Sequence, residues 1–218
     1  AVFYRTNAQS RALEEIMIRV GLPYRVVGAV RFYERREIRD ALAFLRAVAN
    51  PDDDVSLRRI LNVPKRGIGD TTEGELAAYA AVRGNSNDAA CAAAAEIGSL
   101  SPRAVRLVGE FHRMMVGLRE LAATGAGPAA ILSEILAASG YLAVLDDSDD
   151  PQDASRVENL GELESVAADY EQIGEEPTLA GFLERVSLVA DADQIPDSDD
   201  GQVTLMTLHT AKGLEFPV

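Results

Sequence analysis

The sequence predicts a mixed fold, in which a mainly α-helical domain is inserted between two incomplete α/β segments. Three observations predict it. Residues 1–50 alternate between strand and helix character, the pattern of a parallel sheet with helical crossovers. From about residue 56 to 189 the apolar residues recur with helical spacing. Strand character returns at 202–208, after an acidic segment at 191–200.

The first α/β segment is predicted from short elements. Apolar runs at 2–4 and 24–27 predict two strands. A helix between them is predicted to begin after Asn7, a residue suited to capping, and to end at Gly21, which can take the left-handed conformation that closes helices. A second helix is predicted over 34–49.

Six helical segments account for the inserted domain. Turn sequences rich in Gly, Asn, Asp and Pro separate them. The predicted segments are 57–62, 73–82, 102–123, 128–138, 154–173 and 179–189. A capping box of Thr72 and Glu75 is expected to open the second segment. The single cysteine, Cys91, cannot form an internal disulfide and is predicted to be a small packing residue, which fits a reducing cytoplasm.

Charge is distributed unevenly along the chain. The formal net charge of −14 over 218 residues argues, by itself, against nucleic-acid binding. Residues 1–70 nevertheless contain 13 Lys and Arg against 9 Asp and Glu, whereas residues 71–218 contain 8 against 26. We therefore expect a phosphate backbone to be met by the first part. The sequence also lacks a long apolar run and the features of a signal peptide, so no membrane association is expected.

A glycine-rich, basic segment at 62–72 is the first candidate site. Gly67 and Gly69 permit a tight turn, and Lys65 and Arg66 place two cations beside it. Backbone N–H groups at the start of the following helix would suit a phosphate. A plain turn between helices is the alternative, since Gly-x-Gly alone is a weak signal. The adjacent cations favour the phosphate interpretation.

The second candidate site follows the last predicted strand. That strand runs into the polar string His209-Thr210-Ala211-Lys212-Gly213-Leu214-Glu215. Ligands of open parallel sheets bind at the carboxyl ends of the strands, where loop side chains converge. An ordinary connection between a strand and a helix would explain any one of these residues, but not the whole string.

Residues 203–216 closely resemble motif V of superfamily 1A DNA helicases of the UvrD, PcrA and Rep type. Two other blocks agree with this resemblance: 4–11 resembles the segment that enters the family's second RecA-like domain, and 27–40 resembles the block that follows it. The segment 62–72 resembles the helix-hairpin-helix-type element with which the family's 2B domain touches duplex DNA. The resemblance implies that 1–50 and 196–218 belong to the RecA-like domain 2A and that 51–195 forms domain 2B.

The resemblance also implies a role for individual residues. Contact with single-stranded DNA is implied for Thr207, His209, Arg5 and Asn7. A position on the ATP side is implied for Lys212, Gly213 and Glu215. Contact with duplex DNA is implied for Lys65, Arg66, Gly67, Ile68, Gly69 and Thr71.

The activity that the resemblance implies is that of an ATP-dependent 3′→5′ DNA helicase in repair or replication. ATP and Mg²⁺ would be its cofactors. Its partners would be single-stranded DNA, the duplex junction and repair or replication proteins, in a bacterial cytoplasm near the nucleoid. The chain lacks the Gly-x-x-x-x-Gly-Lys-[Ser/Thr] phosphate loop. We therefore expect a piece of a longer protein, which alone has no catalytic residues, no ATPase activity and no metal site.

Other interpretations remain open from the sequence. A RecB- or AddA-type helicase-nuclease subunit shares motif V. A helical module could instead dock a protein partner on its acidic face, or the chain could be a structural scaffold, and neither needs the turn at Gly67. Four arginines form a solvated basic face or a phosphate-binding one: Arg31, Arg35, Arg36 and Arg39.

Overall fold

The computed structural model describes residues 1–5, 9–27, 31–173, 177–192, 203–208 and 210–212. Its strands are β1 (Val2–Tyr4), β2 (Tyr24–Val27) and β3 (Val203–Thr207). Its helices are α1 (Ser10–Val20), α2 (Arg36–Ala49), α3 (Asp54–Ile60), α4 (Asp70–Arg83), α5 (Asn87–Ala92), α6 (Pro102–Ala123), α7 (Pro128–Ala138), α8 (Tyr141–Asp146), α9 (Pro151–Ile173) and α10 (Leu179–Ala192). Short 3-10 turns occupy Phe32–Glu34 and Ala94–Glu96.

The three strands form a parallel sheet in the order β1-β3-β2. Leu205 of β3 pairs with Val2 on one side and with Val26 on the other. The predicted parallel arrangement is therefore confirmed, although the two early strands meet through the late strand and not directly. Because all three strands run the same way, their carboxyl ends lie at one edge of the sheet.

Helix α1 ends where the sequence predicts. Gly21 takes φ 68° and ψ 26°, the left-handed conformation, and its N–H donates to Ile18 O at 3.1 Å. A residue with a Cβ is strained in that conformation, which is why glycine closes this helix. The predicted cap, Asn7, lies outside the described residues.

Two helices, α6 and α7, have the predicted bounds. The Ser101 hydroxyl accepts from Ala104 N at 3.2 Å and caps α6, and each helix has proline in its first turn, where a missing N–H costs nothing. Helices α3, α4, α9 and α10 confirm the other predicted segments, with ends displaced by a few residues. Helix α5 was not predicted, because its alanine-rich sequence lacks an apolar stripe.

The predicted capping box at Thr72 is wrong. Helix α4 begins at Asp70, its N-cap is Gly69, and no side chain caps it. The helix begins earlier than expected, directly after the turn at 62–69. Thr72 therefore already lies within the first turn of the helix and cannot be its N-cap. Glu75 instead accepts a hydrogen bond from Ser99 Oγ at 2.5 Å.

The described chain has two separate apolar cores. The smaller lies under the sheet and contains Tyr4, Tyr24 and Leu205. The larger joins the helices α2 to α10 and begins with Phe32. Helix α2 thus packs with the helical body through side chains such as Phe44, which is 1% exposed. The division between the cores falls between Val27 and Phe32, so the boundary predicted at residue 50 does not coincide with it.

Between the two cores lies a polar seam, formed by Ser10, Glu14, Arg35, Glu37 and Asn159. All five side chains are buried. Glu14, on α1, accepts hydrogen bonds from Ser10 Oγ at 2.5 Å, Tyr24 OH at 3.3 Å and Phe32 N at 3.3 Å. A buried carboxylate needs such donors, because water cannot reach it.

Arg35 carries the polar seam from α1 to α9. Its Nη2 donates to Ser10 Oγ at 2.8 Å and its Nη1 to Asn159 Oδ1 at 2.8 Å, while Asn159 Nδ2 donates to Glu37 Oε1 at 2.6 Å. Burial lowers the pKa of Arg35, and the nearby carboxylates of Glu14 and Glu37 oppose that shift. Arg35 is therefore neither solvated nor free for phosphate, contrary to both interpretations offered by the sequence.

Cys91 is buried in α5, as expected of a packing residue. Burial and the neighbouring Asp88 carboxylate raise the pKa of its thiol to about 12. The thiol is therefore protonated at neutral pH and poorly nucleophilic. In the described part of the chain, no helix combines the length and apolarity needed to cross a membrane.

We predict that Asn159→Ala lowers the free energy of unfolding by about 1–3 kcal/mol, because Arg35 and Glu37 each lose a buried hydrogen-bond partner. Urea denaturation followed by circular dichroism measures the change. Asn85→Ala, at an exposed position, is the matched control and should stay within about 0.5 kcal/mol of wild type. Equal effects of the two substitutions would show that the polar seam adds nothing to stability.

Candidate nucleic-acid interface

The turn at 62–69 is organised by the side chain of Asn62. Its Oδ1 accepts hydrogen bonds from Arg66 N at 2.8 Å and from Ile68 N at 3.3 Å. Gly67 takes φ 81°, a conformation that favours glycine. Ile68, 2% exposed, inserts into the helical core. The turn is thus fixed at both ends and is not a loose connection.

Arg66 points inward and holds this turn. Its Nη1 donates to Ile60 O at 3.1 Å and Val63 O at 2.6 Å, and its Nη2 donates to Ser139 O at 3.3 Å. The guanidinium also lies 5.8 Å from the ring centroid of Phe44 and 5.5 Å from that of Phe111. Burial lowers the pKa of Arg66 to about 10, which leaves it charged at neutral pH. The expected phosphate contact by Arg66 is therefore corrected to a supporting role.

Lys65 and Gly67 are exposed on the outer side of the same turn. A second cation, which the sequence did not suggest, joins them from α6. Arg103 Nη2 lies 3.6 Å from the position that a Cβ would take at Gly67. No local pattern could reveal this neighbour, because the two elements are far apart along the chain. The outer side of the turn thus offers two cations, Lys65 and Arg103, around a glycine.

The N-terminus of α4 adjoins the turn. Gly69 has open space where a side chain would lie, with no heavy atom within 4 Å among the described residues. The first N–H groups of α4 receive no side-chain cap, and Thr71 is exposed beside them. Of the two carboxylates in this first turn, Glu73 is paired with Arg58 at 2.7 Å and Asp70 is exposed. Uncapped N–H groups beside an unobstructed backbone can donate hydrogen bonds to an anion.

The second candidate site lies at the carboxyl edge of the sheet. Thr207 ends β3, and Arg5 follows β1 at the same edge, since Tyr4 pairs with Thr207. Thr207 Oγ1 accepts from Thr210 N at 3.1 Å and so closes the turn that presents Lys212, which is exposed. The structure thus brings Arg5, Thr207 and Lys212 to one edge.

Four of the predicted site residues lie outside the described residues: Asn7, His209, Gly213 and Glu215. Within the described ranges, no group of three or more His, Cys, Asp and Glu side chains is arranged to hold a metal ion.

Comparison with known proteins places these features in context. Residues 1–88 and 105–218 match the UvrD-like helicase C-terminal domain family. The chain is 50% identical, over 234 aligned residues, to the ATP-dependent DNA helicase UvrD1 of Mycobacterium tuberculosis and 44% identical to that of Mycobacterium leprae. It is 43% identical to the ATP-dependent DNA helicase PcrA of Bacillus subtilis. Each alignment covers all of this chain and 30% of the relative, so the chain spans less than a third of their length.

We predict unequal effects on stability for substitutions of the two adjacent cations of the turn. Arg66→Ala should lower the free energy of unfolding by about 1–3 kcal/mol, because several carbonyl oxygens lose their donor inside the body. Lys65→Ala, at an exposed position, is the matched control and should change it by less than about 0.5 kcal/mol. Chemical denaturation measures both, and an Arg66→Ala variant as stable as wild type would contradict the supporting role.

Proposed function

This chain belongs to the UvrD-like helicase C-terminal domain family, and on that premise we propose that it supplies a duplex-DNA contact and part of a single-strand and nucleotide site to an ATP-dependent DNA helicase. The relatives named above carry the description ATP-dependent DNA helicase. The activity belongs to the whole protein, of which this chain supplies a part.

The turn at Gly67 carries the duplex part of the proposal. Lys65 and Arg103 flank an exposed glycine, and the uncapped N-terminus of α4 follows it. A phosphate can approach the backbone at Gly69, where the space beside the backbone is open among the described residues, and the two cations beside Gly67 supply opposite charge. Arg66 holds the turn from inside. The contact would be made to the DNA backbone and would therefore be independent of base sequence.

The sheet edge carries the other part of the proposal. Arg5 and Thr207 would contact a single strand, together with Asn7 and His209, as the family resemblance implies. Lys212, Gly213 and Glu215 would lie on the ATP side. The chain contains no phosphate loop, so these residues fit only the margin of a nucleotide site. The phosphates of ATP and the accompanying Mg²⁺ would be held by other parts of the whole protein.

The two apolar cores suggest how the family's domains divide the chain. We assign the sheet with α1 to domain 2A and the helical body, from about residue 31 to 190, to domain 2B. The separate cores support this assignment, because each domain is expected to have its own hydrophobic core. The 3′→5′ direction, a role in repair or replication, and repair or replication proteins as partners are further parts of the proposal that rest on the resemblance alone.

We predict that Lys65→Ala and Arg103→Ala each weaken binding of the chain to duplex DNA. Each should reduce the slope of log K against log salt by about 0.9, the value for one lost phosphate contact. Gly69→Asp should abolish most of the binding, because it adds a carboxylate at the open position beside α4. Fluorescence anisotropy with a labelled duplex measures these changes.

Arg83→Ala is the matched control for the duplex experiment, since it removes an exposed arginine at the far end of α4 and should leave the slope unchanged. Equal duplex binding by wild type and by a folded Lys65→Ala/Gly69→Asp variant would favour a module that docks a protein partner.

We predict that two residues of the motif V string affect different ligands in the full-length protein. Glu215→Ala should raise the KM for ATP, because a carboxylate near the ribose can accept a hydroxyl hydrogen bond. His209→Ala should weaken single-strand binding and DNA stimulation of the ATPase. One lost hydrogen bond corresponds to changes of roughly 2- to 12-fold. Steady-state kinetics with ATP and an oligonucleotide titrated separately tests the division, which fails if both variants lose only ATP affinity.

A further inference from the structure

Helix α6 carries a line of arginines that begins at the turn. Arg103, which lies against Gly67, is followed by Arg106 and Arg113 at intervals of three and seven residues. Side chains three, four and seven residues apart share one face of a helix. The opposite face of α6 is buried through Val108, Phe111 and Met115. The three arginines therefore form a line on the outer face, here called the α6 arginine line.

The α6 arginine line is accessible along its length. Arg106 is 62% exposed at its side chain, and Arg113 is also exposed. Gly109 lies between Arg106 and Arg113, and Arg113 Nη1 lies 3.8 Å from the position that a Cβ would take there. The Arg113 guanidinium therefore lies close to the outer surface of the helix, and beyond it Gly117 has no heavy atom within 4 Å of its Cβ position among the described residues.

One carboxylate interrupts the α6 arginine line. Glu110 Oε1 lies 2.8 Å from Arg106 Nη1, and both side chains are about half exposed or more. An exposed pair of this kind within a helix adds little to stability, because solvent screens it. An arginine with so weak a partner can exchange it for a phosphate, to which it can make two charge-assisted hydrogen bonds. Three cations against one anion leave the line positive.

We propose that the α6 arginine line extends the duplex contact of the Gly67 turn, so that Arg106 and Arg113 bind phosphates of the same duplex beyond the one bound at the turn. The inference rests on the proposed duplex contact. Ten residues of helix separate Arg103 from Arg113, which corresponds to about 15 Å at 1.5 Å per residue. The same length covers about four base pairs at 3.4 Å each. The ligand class is the sugar–phosphate backbone of a double helix, met without base readout.

The test measures the salt dependence of duplex binding by the full chain and its variants, using fluorescence anisotropy with one labelled duplex. Arg106→Ala/Arg113→Ala should reduce the slope of log K against log salt by about 1.8, which is two phosphate contacts at about 0.9 each. Glu110→Gln should act in the opposite direction and tighten binding, because it removes the anion within the line. Its opposite sign separates a contact from a folding defect.

The pair Arg83 and Glu96 provides matched controls, since it is also an exposed ion pair, at 3.3 Å, between the last residue of α4 and the 3-10 turn at Ala94–Glu96. Arg83→Ala and Glu96→Gln should each leave the slope at the wild-type value. If Lys65→Ala lowers the slope while Arg106→Ala/Arg113→Ala behaves like Arg83→Ala, the α6 contact is refuted and the turn contact stands. If the wild-type chain does not bind the duplex, both proposals fall.

Discussion

The Arg66 guanidinium makes the interactions on which the architecture of the turn at 62–69 depends. It donates hydrogen bonds to carbonyl oxygens at the end of α3, in the turn and at Ser139, which lies 73 residues further along the chain. It also rests on the rings of Phe44 and Phe111. Elements distant in sequence are thus joined at one half-buried cation. Because that cation is directed inward, the turn can present Lys65 and Gly67 outward in a fixed position.

The uneven distribution of charge explains how an acidic chain could make the proposed contact with DNA. At physiological ionic strength, interactions between exposed charges fade beyond about 8 Å. The carboxylates that give the chain its net charge of −14 therefore affect a bound phosphate only where they lie close to it. In the first turn of α4, Glu73 is paired with Arg58, so Asp70 is the carboxylate of that turn left to oppose a phosphate. A small cationic area could thus contact DNA on an acidic body, while the carboxylates on the rest of the surface would repel DNA elsewhere.

Much of the fold could be predicted from the sequence, because the signals are local. Helices α6 and α7 begin at a serine or glycine followed by proline, and their bounds follow from those residues. The direction of Arg66 could not be predicted, because Lys65 and Arg66 look alike in sequence and the acceptors of Arg66 come partly from a distant segment. The proximity of Arg103 to Gly67 was hidden for the same reason.

The boundary between the two cores could not be predicted from the sequence either, because it too depends on contacts between distant segments. Apolar spacing indicates which face of α2 is buried, but not whether the sheet or the helices cover it. Packing gives that helix to the helical body, well before the change in sequence pattern at residue 50. Which core a helix joins is thus decided by its contacts with other segments and not by its own sequence pattern.

The central position of β3 has a consequence for the order of folding. β1 and β2 precede the helical body along the chain, yet within the described residues both are hydrogen-bonded through β3, which follows that body. Closing so long a loop delays the sheet, whereas the helical body can form from neighbouring segments while the chain is still being extended. During synthesis, the helical body would therefore fold before the sheet. The apolar side chains of α1 would stay exposed to chaperones until β3 pairs with β1 and β2.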